Sequence, residues 1–190
     1  AASNPGKSTT VFVSSKSATS VVLNWAAPSG NGAVVSGYKV EQSDAAGLLW
    51  SVVPAGRLVM DSATATAATI TGLTRGQSYL FRVSAINSQG TGTPTALGEP
   101  VIPAVVPGVM DPPQVGARTT TSVTLTWNVP ADDGGRAPIA YDLQYRDDVN
   151  STWRTIDTGW INRASLDATT ATITAVVAAA AAAAASAVRG

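Results

Sequence analysis

Apolar and polar residues alternate through Tyr79-Leu80-Phe81-Arg82-Val83-Ser84-Ala85. Tyr79, Phe81, Val83 and Ala85 fall on one face, and Arg82 and Ser84 fall between them. A period of two is the mark of a β-strand with one buried face. The same alternation predicts strands at Val11–Val13 and at Ser20–Trp25, where Val21, Leu23 and Trp25 share a face and Pro28 ends the ladder. It also predicts one through Tyr38, Val40 and Gln42, with Lys39 and Glu41 outward. Shorter strands are expected at Leu49–Val53 around Trp50, at Ala68–Leu73 and near Thr95–Val101. Turn residues punctuate them, as in Ser29-Gly30-Asn31-Gly32 and Asn87–Gly92. Seven short strands at this spacing indicate an all-β sandwich or barrel. Residues 1–10 read as a lead-in outside the core, and Gly56–Ala68 as a loose stretch.

The pattern is written twice. Ser20-Val21-Val22-Leu23-Asn24-Trp25-Ala26-Ala27-Pro28 returns as Ser122-Val123-Thr124-Leu125-Thr126-Trp127-Asn128-Val129-Pro130. Tyr38-Lys39-Val40 returns as Tyr141-Asp142-Leu143, Trp50 as Trp153, and Thr69-Ile70-Thr71 as Thr172-Ile173-Thr174. The offset is 102 residues at first and 103 later, as one added loop residue produces. The expected organisation is therefore a first domain over 1–103, a proline-rich linker over 104–113 and a second domain over 114–190. Prolines at 100, 103, 107, 112 and 113 stiffen the join. The second domain is expected to stop before its last strand. A chain that opens on Ala1 is expected to be processed or part of a longer one.

Ala178–Ala185 breaks the pattern with eight consecutive alanines. By propensity alone it is a helix signal. The repeat places it instead on a strand, because Ser186-Ala187-Val188 aligns with Ser84-Ala85-Ile86. A strand of alanine buries little area, at about 25 cal/mol per Å². We read the run as standing in for unidentified residues; a peptide confirming eight alanines would establish a true low-complexity segment.

The spacing Leu73-x-x-Gly76-x-x-Tyr79-x-Phe81-x-Val83-x-Ala85 resembles the E–F corner and F strand of the fibronectin type III family. With the Trp strand and its Pro, the resemblance covers nearly the whole chain. It implies two tandem immunoglobulin-like β-sandwiches. In the family the B-strand Trp and the corner Tyr are core. The structural core is accordingly expected to include Trp25, Tyr38, Tyr79, Trp127 and Tyr141. A Tyr in that place returns its hydroxyl to upstream backbone. Some members bind receptors through Arg-Gly-Asp in the F–G loop; here that loop reads Asn87-Ser88-Gln89-Gly90-Thr91-Gly92, so the activity is not carried over.

Composition narrows the chemistry. There is no Cys and no His, which removes thiolate chemistry, disulfides and the commonest neutral-pH proton carrier. Twelve basic and twelve acidic residues cancel, and neither half is basic enough for binding to nucleic acid. No run of about 18 apolar residues crosses a membrane. Asp132-Asp133-Gly134-Gly135 offers too few ligands for calcium and reads as a B–C turn. Asp147-Asp148 reads as a hairpin tip, and Asn150-Ser151-Thr152 is a glycosylation sequon. No catalytic residues, cofactor-binding residues or metal ligands are assigned, and the chain is not expected to be an enzyme.

Candidate surface-contact residues are Trp160, which has no evident counterpart in the first repeat, and Asn87 and Gln89 in the F–G loop. The expected function is a non-catalytic structural or interaction module of a larger extracellular, cell-surface or virion protein. Its partners would be protein subunits of that assembly or a cell-surface ligand. The Gly/Ala/Thr/Ser-rich composition resembles bacterial or bacteriophage modules. The alternative is an accessory domain pair of a secreted carbohydrate-active enzyme, with polysaccharide as ligand.

Overall fold

The longer strands form where the alternation places them, and the cross-strand register decides which faces are buried. The computed structural model describes residues 1–146 and 152–174 together with the backbone of 182–188. Cα positions divide into two units, Ala1–Val105 and Val106–Gly190.

The first unit contains β1 (Val11–Lys16), β2 (Val21–Trp25), β3 (Gly37–Ser43), β4 (Ser51–Val52), β5 (Leu58–Val59), β6 (Ala67–Ile70), β7 (Leu80–Asn87), β8 (Gly90–Thr91) and β9 (Thr95–Ala96). One antiparallel sheet runs β1-β2-β6-β5 and the other β4-β3-β7-β8, with β9 also on β7. Val21, Leu23 and Trp25 from one sheet meet Val40, Phe81 and Val83 from the other in a single buried cluster. Three expectations are adjusted. The stretch read as loose carries β5, paired with β6 at Leu58↔Ile70 and Val59↔Thr69. The strand around Trp50 shrinks to Ser51–Val52, with Leu48 and Leu49 exposed in the preceding turn. The strand toward Val101 is interrupted after Ala96 and resumes as one bridge between Tyr79 and Val101.

The second unit contains β10 (Gln114–Arg118), β11 (Ser122–Thr126), β12 (Ala140–Arg146), β13 (Arg154–Thr155), β14 (Ile161–Asn162), β15 (Thr170–Thr174) and β16 (Ala182–Val188). Its sheets run β10-β11-β15-β14 and β13-β12-β16. Leu125, Trp127, Tyr141, Leu143, Ile156, Ala171 and Ile173 form the core. The second half of the alanine run is a strand, not a helix. It pairs with β12 from Ala140↔Val188 to Arg146↔Ala182. Tyr38 faces Ala85 and Tyr141 faces Ala187, so the register matches the repeat. Residues 178–181 lie outside the described residues.

The two units repeat each other in detail. Trp25 and Tyr38 meet edge to face at 5.2 Å between centroids, and Trp127 and Tyr141 at 5.5 Å. Val53 N–H donates to Val40 O, and Ile156 N–H to Leu143 O. The change of offset falls at Ala131. Gly6 N–H donates to Ser29 O as Gly108 N–H donates to Asp132 O. Beyond it the left-handed pair Asn31 (φ 50°) and Gly32 (φ 88°) matches Gly134 (φ 73°) and Gly135 (φ 91°).

Residues read as flanking belong to the units. Pro5 and Ser8 are buried, and the Ser8 hydroxyl bonds Ala26 O at 2.7 Å. Pro103 is fully buried and accepts Gly76 N–H at 2.9 Å, and Ala104 is buried beside it. Met110 packs on the second core. The stretch read as a linker is thus drawn in from both ends, because its apolar residues bury area that an open connector would leave in water.

Candidate interaction surface

Pairing of β3 with β4 and β7 fixes what the outer face of the first unit presents. Glu41 lies opposite both Val52 and Arg82, and Lys39 opposite Ser84. Arg82 Nε sits 2.8 Å from Glu41 Oε2, and Lys39 Nζ 3.3 Å from Glu41 Oε1. The Glu41 side chain is only 9% exposed, covered by its two cations. The Arg82 hydrogen bond is the main reason its carboxyl titrates below the usual range, and Lys39 adds to it against the cost of burial. The Arg82 guanidinium also lies 4.4 Å from the centre of the Trp50 ring. One arginine thus holds a carboxylate with its edge and an indole with its face. Val52, opposite Glu41, is exposed, and so are Leu48 and Leu49 just before Trp50 in the chain. The turn carrying the leucines is set by Asp44 Oδ1, which accepts Ala46 N–H at 3.1 Å, and by Gly47 at φ 66°.

The second unit builds the counterpart differently. Trp153 takes the place of Trp50, but its cation is Arg146 of β12, 5.4 Å from the ring centre. Gln144 stands where Glu41 stands and faces Ala184 in register. Its amide donates to Asp142 Oδ2 at 2.8 Å.

The residues singled out for the surface fare unequally. Trp160 is 42% exposed. It does have a counterpart: it ends the short 3-10 turn Thr158–Trp160 as Arg57 ends Ala55–Arg57. The Thr174 hydroxyl donates to Trp160 O as the Thr71 hydroxyl donates to Arg57 O. Arg57 returns Nε to Thr71 O at 2.8 Å, a bond an indole in that place does not reproduce. Gln89 is exposed, and its side-chain amide bonds Ser88 Oγ.

Asn87 is a correction. It is 4% exposed and presents nothing outward. Its Nδ2 donates to Ser3 O at 2.8 Å and Gly30 O at 2.9 Å, and its Oδ1 accepts Gln89 and Gly90 N–H. A short amide that ties three chain segments at once is best placed inside. Asn31 continues the tie, donating to Asn4 O at 2.8 Å and accepting Ser3 N–H on its carbonyl at 3.1 Å.

Trp25, Tyr79, Trp127 and Tyr141 are buried, and Tyr38 is half-buried against Trp25. Tyr79 Oη accepts Thr74 N–H at 3.0 Å and donates to Gln77 Oε1 at 3.3 Å, which completes the corner. Asp132 and Asp133 turn Oδ1 to Gly134 and Gly135 N–H. Among the described residues no group of three or more acidic side chains is assembled to hold a cation. Asp147, Asp148, Asn150 and Ser151 lie outside the described residues. An open recess of about 240 Å³, lined by Gln42, Ser43, Asp44, Leu49, Ser51, Gln77 and Tyr79, contains one carboxylate and no second acid or base at neutral pH.

Comparison with known proteins agrees with this geometry. The profile of the fibronectin type III domain matches residues 4–100. The chain belongs to the fibronectin type III family. It is 28% identical over 138 residues to a titin homolog of Caenorhabditis elegans, covering 70% of this chain and 1% of that one. It is 33% identical over 129 residues to M-protein of striated muscle from Gallus gallus, covering 66% and 9%. Among solved structures, chicken CNTN1 FN1-FN3 domains share 19% identity with a TM-score of 0.46, covering 82% of this chain and 51% of that one. The chain spans a small share of the length of the two sequence relatives, and the proteins named here are from animals. Membership in this family and these relatives point to a non-enzymatic, structural or interaction module.

The Glu41–Arg82–Trp50 group was missed by sequence reasoning. Lys39 and Glu41 were recognisable as outward, but which residue stands beside them depends on register. The signal was the charge at Arg82, at an outward position of the strand that the repeat pairs with β3.

Proposed function

We propose that the chain is a non-catalytic spacer and contact module of a longer protein, and that the face around Trp50 is where the first unit meets a protein subunit of its assembly. The observation that carries this is Trp50 held by Arg82, with Val52 exposed opposite Glu41 and Leu48 exposed in the turn before the Trp. Trp and Arg dominate binding energy at protein contacts, above all when their side chains are fixed beforehand. Each sandwich supplies a packed body of its own. The small share of its relatives that the chain spans suits one segment of a long polypeptide.

The proposed setting is an extracellular, cell-surface or virion assembly of bacterial or bacteriophage type. Its support is the cysteine-free, small-residue composition; the named animal relatives weigh against the bacterial or bacteriophage origin. The test is quantitative binding of the chain to its neighbouring subunit with Trp50→Ala and Arg82→Ala alongside. Loss of at least about 1.4 kcal/mol, a tenfold weakening, supports the face; unchanged binding in both variants refutes it.

Exposed Trp160 favours a second reading, accessory domains that touch polysaccharide. Retention on an insoluble polysaccharide that disappears in Trp160→Ala would support it over the first.

A further inference from the structure

The chain contains one Asn-Gly pair, Asn31-Gly32, and it stands at the tip of the first unit's B–C turn. Both residues are exposed and both lie in the left-handed region, at φ 50° and 88°. Gly32 has no side chain to hinder approach to its nitrogen, and among the described residues its N–H makes no hydrogen bond. Asn31 is also the latch of the N-terminal segment. Its Nδ2 donates to Asn4 O, its carbonyl accepts Ser3 N–H, and its Oδ1 accepts the Ser29 hydroxyl at 2.9 Å.

We propose that Asn31-Gly32 is a deamidation site whose conversion releases the N-terminal segment from the B–C turn. The Gly32 nitrogen attacks Asn31 Cγ and forms the ring C–N bond. The Cγ–Nδ2 bond breaks, and ammonia leaves, taking up the proton lost from the Gly32 nitrogen. Water then opens the succinimide at either carbonyl, giving aspartate or isoaspartate.

Either product undoes the latch. Aspartate replaces the donor facing Asn4 O with a carboxylate oxygen, so attraction becomes repulsion. Isoaspartate lengthens the backbone by one methylene and moves the carbonyl that accepts Ser3 N–H. Asn87 then holds Ser3 alone, and Gly6 N–H, bonded to Ser29 O at 2.8 Å, loses its support on the N-terminal side. The matching turn of the second unit carries Gly134 and Gly135 in these places and lacks the reaction.

The experiment holds the whole chain in mildly alkaline buffer, maps its peptides by mass and reads amide exchange at Ser3 and Gly6. We expect Asn31 to convert before any other asparagine, with exchange at Gly6 rising about tenfold in the converted protein and in Asn31→Asp. Asn31→Gly fits the left-handed backbone, so it keeps the turn and must show no gain of mass in that peptide. The proposal is overturned if Asn31 stays intact for a time in which the denatured chain converts fully. It is equally overturned if the converted protein exchanges Ser3 and Gly6 no faster than before.

Discussion

The phenolic oxygen of Tyr79 accepts the backbone N–H of Thr74 across five residues, at 3.0 Å. The ring that carries it stacks on Phe81 inside the first core, so one side chain fixes the corner and fills the sandwich. Tyr79→Phe keeps the ring but removes the hydroxyl, leaving Thr74 N–H without its acceptor and Gln77 Oε1 without its donor. Urea unfolding should show a loss of about 1 kcal/mol. Tyr79→Ala adds a cavity and should cost about 3 kcal/mol or more.

Asn87 and Gln89 are two residues apart in one loop, and their substitutions should differ sharply. Asn87→Ala leaves the carbonyls of Ser3 and Gly30 without the amide that joins them and should cost about 2 kcal/mol. Gln89→Ala should stay within about 0.5 kcal/mol. Equal effects in thermal unfolding would show that Asn87 is not the tie.

Glu41 gives the first unit an acid sensitivity. Its carboxyl is lowered in the folded state, chiefly by Arg82. Its stabilisation is therefore complete above the unfolded carboxyl's value and is lost as pH falls through the folded value. Stability measured from neutral to acid pH should fall more steeply in the natural protein than in Glu41→Gln. Parallel curves would mean the pair contributes nothing.

Trp160 and Arg57 hold equivalent turns, and Arg57 bonds the carbonyl of Thr71, just past β6. Trp160→Arg offers Thr174 the same bond, so the second unit should be at least as stable as before. A loss beyond about 1 kcal/mol would show that the indole is packed rather than displayed.

Much of this was legible before any coordinates. The period of two around Phe81 gave a strand whose buried face is Tyr79, Phe81, Val83 and Ala85. The repeat anticipated that the alanine run would enter β16 rather than a helix. What escaped was whatever depends on contacts between distant segments. Asn87 looked like an exposed loop residue because nothing local shows that Ser3 and Gly30 converge on it. Trp160 looked unmatched because its counterpart is an arginine, alike in position and unlike in chemistry. Pro5 and Ser8 looked like a tail because polar and small residues are buried only when a partner carbonyl waits for them.

The outermost strands of the two units share an irregularity. The register of β1 on β2 shifts between Val13 and Ser15, and that of β10 on β11 between Val115 and Arg118. A shifted border does not offer an even row of amides to a stranger. Neighbouring copies of one fold, emerging together from a ribosome, are especially prone to trade strands and clump. Straightening β1 by deleting Ser14 would smooth that border, and the harm would show as precipitation during refolding rather than as a weaker native state.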